Sequence, residues 1–404
     1  MSPLRMAWRN VWRNRRRTLV TVAATTLAFT VMVLYSSLVQ GYLRTMESNL
    51  LDLELGDVQI HAPGYRDDPS LYESVQGVDD LLRRFDELGF PASARMLGFG
   101  LVASSEASSG AQLQGIDVSR DQRVSRISER VREGRWLEAG PSYDVVLGAQ
   151  LARTLVVEPG DEVILLGQAA DGSTANDLFV VRGILRPVGE GIDRAGVFLS
   201  EETFRRFFAF PSGAHEIILR RPEDTELGTF AQVVRTTAPE ERVETWRELS
   251  PSLASMLDSV QGLMVVVFLI IYVAIGILIL NAMLMAVFER IREFGVLKAI
   301  GFPPTQVLFV ILCECGIQAG LAVAVGLALA VPGLWYLVNV GIDMGRLGGM
   351  AMMGVVVDPV WRGIVEPSVI TTPLVTLLFI VGLAAIYPAS KAAWISPVQA
   401  IRHR

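Results

Sequence analysis

The sequence predicts an α-helical membrane protein with four transmembrane helices and a large α+β domain outside the membrane, between the first and second helices. Charged residues make up 19% of the 404 residues and apolar residues 51%, whereas soluble domains carry about 25% charged residues. Four stretches contain no charged residue: Thr18–Leu43, Ser259–Phe288, Cys315–Ile342 and Pro367–Ser390. Each exceeds the ~20 residues with which a helix crosses a bilayer. Strand-like segments between the first two stretches predict the outer domain.

The first apolar stretch is predicted to be a retained membrane helix. Its 26 residues exceed the roughly 7–15 apolar residues of a cleaved signal peptide, which is the alternative, and no Ala-x-Ala cleavage site precedes Arg44.

The segment before this helix has an amphipathic pattern. Apolar Leu4, Trp8, Val11 and Trp12 recur at helical spacing, with Arg5, Arg9, Arg13 and Arg16 on the adjacent face. This pattern is typical of a helix in the membrane interface, with Trp8 and Trp12 at the headgroups and Arg9 and Arg13 toward anionic lipid. A solvated basic tail is the alternative.

The charge distribution predicts the orientation of the chain. Six arginines lie in the first 17 residues, and no acidic residue precedes Glu47, which places the N terminus in the cytoplasm by the positive-inside rule. With four spans, the cytoplasmic segments hold twelve basic and two acidic residues, whereas residues 44–258 hold 22 basic and 36 acidic residues. Residues 44–258 and about 343–366 are therefore predicted outside, and 289–306 and the C terminus inside.

The outer segment combines strand and helix patterns. Strands are predicted at Asp57–His61, Asp144–Leu147, Glu162–Leu166, Leu178–Leu185 and Glu216–Leu219. Helices are predicted at Val78–Leu88 and at Glu201–Phe208, the latter with Ser200 as N-cap.

The membrane helices are predicted to extend outward as stalks. The first continues to about Leu53, and a polar helix from about Val243, with a break near Pro251, precedes the second. A stalk of ~12 residues projects ~18 Å. Short helices that carry no motion are the alternative.

Motifs for nucleotide hydrolysis and metal catalysis are missing from the sequence. The two lysines, Lys298 and Lys391, follow no Gly-x-x-x-x-Gly loop, and no Gly-x-Ser-x-Gly or His-Glu-x-x-His motif occurs. Cys313 and Cys315 lie about 200° apart on a helix, and the three histidines have no metal-ligand spacing. We therefore predict no catalytic residue, cofactor or metal in this chain, and an energy source in a partner.

The cytoplasmic segment after the second span has the pattern of a short amphipathic helix. Four charged residues precede four apolar residues, a glycine and two prolines: Glu289, Arg290, Arg292, Glu293, Phe294, Val296, Leu297, Ile300, Gly301, Pro303 and Pro304. The glycine and prolines indicate where the helix ends. Such a helix fits a groove in another protein.

Two motifs carry a family resemblance. The run Arg290-x-x-Glu293-x-x-x-Leu297-Lys298-Ala299-x-Gly301 resembles the coupling-helix motif of the FtsX/MacB/LolCDE superfamily of ABC-transporter permeases. The tail Tyr387-Pro388-Ala389-Ser390-Lys391-Ala392-Ala393-x-x-x-Pro397-Val398-Gln399-Ala400-Ile401-Arg402 resembles its C-terminal ending. The resemblance covers the full chain and implies a permease dimer on two copies of a separate ATPase, which binds the ATP and Mg.

The layout is closest to that of LolC/LolE-type lipoprotein-releasing permeases, whose outer domain has porter-like and sabre-like parts. The resemblance implies this order: cytoplasmic amphipathic helix 1–17, transmembrane helix 18–43, periplasmic stalk and porter-like part 44–114, sabre-like part 115–214, porter-like return and stalk 215–258, transmembrane helix 259–288, cytoplasmic coupling helix 289–304, transmembrane helix 305–340, periplasmic loop 341–366, transmembrane helix 367–390 and cytoplasmic tail 391–404.

Glu314 is an acidic residue inside the third span. A carboxylate there is costly unless it is paired, protonated or in a wet interior. The resemblance implies a structural contact with the coupling region, and a proton or substrate role is the alternative.

The sequence thus predicts the membrane subunit of a mechanotransmission-type ABC transporter in a bacterial inner membrane, acting on a lipoprotein or another hydrophobic substrate. The predicted ATPase-docking residues are Glu289, Arg290, Arg292, Glu293, Leu297, Lys298 and Gly301. Other predicted partners are a second permease copy or paralogue, membrane lipid and a periplasmic acceptor protein, and no nucleic acid. The alternatives are an FtsX-like regulator of a periplasmic hydrolase and, from another class, a membrane sensor.

Overall fold

The structure, a computed structural model, describes residues 3–13, 15–222, 225–343, 351–352, 355–356 and 360–396. The chain divides into two compact units. The helical unit comprises the described residues of Met1–Arg44, Leu257–Met344 and Val360–Arg404, and the sheet unit those of Thr45–Met256 and Gly345–Pro359.

The helices and strands alternate in the sheet unit, whereas the helical unit is almost purely helical. In chain order the helices are α1 (Pro3–Arg13), α2 (Arg15–Leu50), α3 (Val78–Glu87), α4 (Val118–Val124), α5 (Ala149–Leu155), α6 (Glu190–Ala195), α7 (Glu201–Phe207), α8 (Leu227–Thr237), α9 (Trp246–Leu249), α10 (Pro251–Glu289), α11 (Ile291–Ala299), α12 (Pro304–Asn339) and α13 (Pro367–Trp394). The strands are β1 (Val58–His61), β2 (Ala92–Ala103), β3 (Ser108–Ile116), β4 (Val131–Gly134), β5 (Asp144–Leu147), β6 (Glu162–Gln168), β7 (Thr174–Leu185), β8 (Gly196–Ser200), β9 (Glu216–Leu219), β10 (Arg242–Thr245), β11 (Ile342–Asp343), β12 (Ala351–Met352), β13 (Val355–Val356) and β14 (Val360–Trp361).

Within the described residues, four helices are long and apolar enough to cross a membrane: α2, α10, α12 and α13. Both α2 and α10 extend beyond the charge-free stretches into polar sequence. Helix α2 passes at Leu50 into π-helical Leu51–Leu55, so the helical conformation continues to the residues that the sequence predicts.

Helices α2 and α12 pack closely because small residues face each other. The Thr26 and Thr30 hydroxyls donate to the carbonyls of Ala322 and Gly326, at 3.2 and 3.1 Å. A Cβ added at Gly326 would lie 2.8 Å from the ring of Phe29. Interhelical hydrogen bonds and small residues are the usual means by which membrane helices approach each other.

The sheet unit is built on one ten-stranded sheet. Its strand order is β10-β1-β9-β2-β3-β8-β5-β7-β4, and β6 pairs with both β2 and β7. One apolar core, with Phe85 and Phe230, uses residues 58–94 and 214–243, and another, with Phe179 and Phe204, uses residues 96–210. The predicted strands and helices are present, and the division into porter-like and sabre-like parts at 115 and 214 stays a prediction.

The prediction of a polar helix from about Val243 is wrong. Residues Arg242–Thr245 form β10, which pairs with β1, and only Trp246–Leu249 is helical before Pro251. The Thr245 side chain and Glu248 form a capping box that starts this short helix. Long-range pairing with β1 decides the conformation here, against the local helical pattern.

The structure describes only parts of the predicted periplasmic loop 341–366 and of the predicted tail 391–404. In the predicted loop 341–366, β11 pairs with β14, and β12 pairs with β13. Residues 391–394 of the predicted tail still belong to α13. The motif residues 397–402 lie outside the described residues.

Candidate functional site at the cytoplasmic end

Helix α11 ends in a Schellman motif that the sequence specifies. The backbone N–H of Gly301 donates to Lys298 O, and that of Phe302 donates to Leu297 O, both at 3.0 Å. Gly301 has φ +99°, a left-handed conformation that favours glycine. Pro304 then starts α12 at a position where its missing N–H costs nothing. The turn between α11 and α12 is therefore short and defined.

The inner face of α11 packs on an apolar cluster formed with α10, α12 and α13. The buried members of this cluster are Val287, Phe294, Val307, Ile311, Ala389 and Ala392, with Leu297, Phe302, Leu308 and Leu312 packed against them. Because residues from four helices share one core, α11 is held against the helical unit.

Ion pairs fix the start of α11. Arg13 Nη2 donates to Glu293 Oε1 at 2.7 Å, and Arg290 donates to both Glu293 and Glu314, each at 3.1 Å. Arg17 Nη1 pairs with Glu289 at 2.9 Å. Charges from α1, α2 and α12 therefore converge on one end of α11.

The Arg290–Glu314 pair is the buried member of this network. The Arg290 side chain is 12% exposed and that of Glu314 4%. The Arg290 guanidinium also lies 5.1 Å from the Phe294 ring centroid. Glu314 thus contacts the start of α11 through Arg290, and the role of α11 as a coupling helix stays a prediction.

The Glu293 carboxylate is stabilised as an anion. Partial burial acts to raise its pKa, but hydrogen bonds from Arg13 and Arg290, with their charges, outweigh this and lower the pKa. The Arg13 and Glu293 side chains are 55% and 47% exposed, so this exposed pair contributes on the order of 1 kcal/mol or less.

The two lysines join the C-terminal end of α13 to this region. Lys298 Nζ donates to Ile395 O at 2.7 Å, and burial lowers the pKa of Lys298. The Lys391 ammonium lies 5.0 Å from the Phe288 ring centroid and 5.8 Å from that of Tyr387. These contacts connect α13 to α10 and α11.

The exposed residues of α11 are not the same as the predicted ATPase-docking residues. Arg290, Leu297 and Lys298 make contacts within the chain, whereas Val296 and Ile300 are 49% and 79% exposed. The remaining members of the predicted set, Glu289, Arg292, Glu293 and Gly301, are exposed. The predicted docking set omits Val296 and Ile300, although the sequence places both among the apolar residues of this amphipathic helix and their i, i+4 spacing puts them on one helical face.

Helix α1 carries the predicted membrane-interface residues. Trp8 and Trp12 are half exposed, with ring centroids 6.0 Å apart, and Arg9 is exposed. Val11, which we placed on the indole face, is instead 1% exposed and packs inside the protein. Arg13 pairs with Glu293, so an ion pair connects α1 to α11.

The sheet unit holds a buried histidine pair that the sequence spacing did not indicate. His61 Nδ1 lies 3.1 Å from His215 O. The Tyr65 ring stacks on the His61 imidazole and lies tilted beside that of His215. The Leu97 N–H donates to Nδ1 of His215, and Nε2 of His215 lies 3.2 Å from Leu71 O. Burial lowers the pKa of each histidine to about 4, so both are neutral structural groups at pH 7.

A second buried polar cluster surrounds Arg95. Its Nε donates to Asp121 at 2.8 Å and its Nη1 to Glu54 O at 3.1 Å, and Glu216 lies 3.9 Å away. Burial raises the pKa of Glu216 to about 7. Among the described residues, no group of three His, Cys, Asp or Glu side chains is arranged to hold a metal ion.

Two family models match the chain. The model described as FtsX-like permease C-terminal matches residues 265–397, and the MacB-like periplasmic core domain model matches residues 18–243. The second match alone covers more than half of the 404 residues.

Individual proteins are similar to this chain over different shares of its length. The chain is 24% identical over 279 residues to an uncharacterised ABC transporter permease of Methanocaldococcus jannaschii, covering 67% of this chain and 65% of the relative. It is 19% identical over 403 residues to the lipoprotein-releasing system transmembrane protein LolC of Neisseria meningitidis, covering 96% and 94%. The periplasmic region of MacB from Actinobacillus actinomycetemcomitans aligns at 13% identity and TM-score 0.36, covering 49% of this chain and 91% of that one.

Proposed function

Since this chain belongs to the FtsX/MacB/LolCDE superfamily of ABC-transporter permeases, we propose that it is the membrane subunit of a transporter powered by a separate ATPase. It is a multi-pass permease of the MacB/LolC type with a MacB-like periplasmic domain. In the proposal it lies in a bacterial inner membrane as a dimer with a second copy or a paralogue, and ATP and Mg bind only to the ATPase.

The observation that carries this proposal is the arrangement of α11. The helix is attached to α1, α12 and α13 by Glu293, Arg290 and Lys298 respectively. At the same time it exposes Val296 and Ile300. An apolar surface on a firmly attached helix can receive a push from an ATPase and pass it to the membrane helices.

Long continuous helices support transmission to the periplasmic side. Helix α2 has 36 residues and α10 has 39, which at 1.5 Å per residue gives about 54 and 58 Å, against a hydrocarbon core of ~30 Å. Each helix therefore exceeds the hydrocarbon thickness by about 20 Å or more. In the proposal these extensions are the stalks that move when the ATPase closes.

The cargo proposed is a lipoprotein or another hydrophobic substrate on the periplasmic side, handed to an acceptor protein. The support is the end-to-end similarity to a LolC, whose name describes lipoprotein release.

Charge introduction at the exposed face of α11 tests ATPase docking. Burying an isoleucine stabilises a contact by ~1.5–3 kcal/mol, so Ile300→Glu is expected to weaken the complex with the genetically neighbouring ATPase at least about tenfold. The matched control is Ile342→Glu, an exposed isoleucine of β11, predicted on the opposite side of the membrane. Binding and ATPase stimulation are measured in nanodiscs. Equal binding by wild type and Ile300→Glu would contradict docking through α11.

Cargo is tested separately by photo-cross-linking at the predicted stalks. Lipid-modified proteins captured near Asp258 and Thr45 would support extraction. A periplasmic hydrolase bound in equal amount to the permease, without captured lipoprotein, would instead favour the regulatory alternative.

A further inference from the structure

A groove lies within the helical unit, between α1 and α2 on one side and α12 on the other. Its volume is about 490 Å³, within the ~300–1,000 Å³ of small-molecule sites. Leu19 and Ala23 line one wall, and Leu321 and Val325 line the other. The groove therefore offers an apolar trough along two helices that are long enough to span a membrane.

The groove has almost no polar group to recognise a polar ligand along its length. Thr26 lines it, but its hydroxyl donates to Ala322 O. Thr18 also lines it, and its hydroxyl donates to Val11 O. Both hydroxyl protons are thus used inside the protein, and the trough suits a hydrocarbon chain.

One end of the groove is charged. Arg15 and Trp12 line it there, and both side chains are exposed. The neighbouring Arg13 and Arg17 are paired with Glu293 and Glu289. By contrast, no carboxylate of the described residues lies within 4 Å of the Arg15 guanidinium in the structure, so its charge is available to an anion.

We propose that this groove binds an anionic phospholipid of the cytoplasmic leaflet, with one acyl chain between Ala23 and Val325 and the phosphate on Arg15. A guanidinium pairs well with a phosphate, an indole prefers the headgroup region, and basic pockets between membrane helices on the cytoplasmic side bind anionic headgroups. The lipid would bridge α2 and α12. This site is separate from the proposed cargo path and does not depend on the cargo or the ATPase.

The test uses the full-length chain in phosphatidylcholine nanodiscs that contain a small fraction of phosphatidylglycerol with a photoreactive group in one acyl chain. The comparison lipid is phosphatidylcholine with the same chain. One arginine contact is worth about 1 kcal/mol, so peptides containing Ala23 and Val325 are expected to be labelled about fivefold more by phosphatidylglycerol.

Two matched pairs of variants separate headgroup from chain recognition. Arg15→Gln is expected to reduce phosphatidylglycerol labelling to the phosphatidylcholine level, whereas Arg16→Gln, also exposed but outside the groove, keeps the preference. Ala23→Phe is expected to abolish labelling by both lipids in the groove, whereas Val20→Phe, exposed on the same helix and outside the groove, leaves it intact.

Three results would overturn the proposal. The first is equal labelling of the groove by the two lipids, and the second is an equal effect of Arg15→Gln and Arg16→Gln. The third is cross-linking of groove residues to a second copy of the chain, which would make the trough a subunit contact. Because Arg15 is exposed, we expect Arg15→Gln to fold like the wild type, so that a change in labelling reports on lipid binding.

Discussion

Replacing Glu314 by glutamine tests the ionic link between α11 and α12. The carboxylate and Arg290 Nη1 are 3.1 Å apart, and both side chains are largely buried. At an effective dielectric constant of ~20, their Coulomb attraction is about 5 kcal/mol, and removal of one partner of a buried pair costs about 3–5 kcal/mol. Glutamine retains a hydrogen bond of ~1 kcal/mol to Arg290. We therefore expect the free energy of unfolding to fall by about 2–4 kcal/mol.

The assay is SDS titration of the full chain in mixed micelles, followed by far-ultraviolet circular dichroism. The control is Glu289→Gln, because Glu289 pairs with Arg17 at 2.9 Å but is 57% exposed, and such a pair is worth about 1 kcal/mol or less. Arg290→Gln combined with Glu314→Gln should cost less than the sum of the single effects. The reasoning is refuted if Glu314→Gln destabilises no more than the control, or if the double variant is additive.

Two further predictions concern pH and packing. His61 and His215, with pKa values of about 4, are neutral when folded and protonate below pH 6.5 when unfolded; each therefore supports stability by about 3 kcal/mol above pH 6.5, lost as the pH falls toward 4. Glu216, with a pKa of about 7, has the opposite effect, because its raised pKa makes the folded state more stable at low pH. Since two histidines oppose one glutamate, we expect the free energy of unfolding to fall on acidification. In His215→Gln the thermal midpoint should depend less steeply on pH than in the wild type, and an unchanged slope would contradict this. In the SDS titration, Gly326→Ala should destabilise the contact of α2 with α12 by about 1–3 kcal/mol. Gly320→Ala should have no such effect, because its Cβ meets nothing within 4 Å. Equal effects of the two substitutions would show that the close approach of α2 to α12 at Gly326 is unimportant.

Local sequence properties predicted most of the secondary structure. The sequence did not predict the β2–β3 hairpin, in which β2 pairs with β3 from Arg95 to Ala103. Glycines weaken the strand pattern there, yet a Cβ at Gly98 would lie 2.7 Å from Phe208, and one at Gly115 would lie 2.5 Å from Phe204. The glycines leave room for aromatic rings from another element, a reason that no local window contains.

Local sequence is enough to predict the number and order of the apolar helices and the turn at Gly301, because hydrophobic length and glycine conformation are local properties. The pairing of charges and the exposed face of α11, in contrast, depend on how the helices pack in three dimensions. Arg13 and Glu293 are 280 residues apart, and His61 and His215 are 154 apart. Such partners are chosen by how helices and strands pack, since a charge or an imidazole acts through distance in space rather than along the chain.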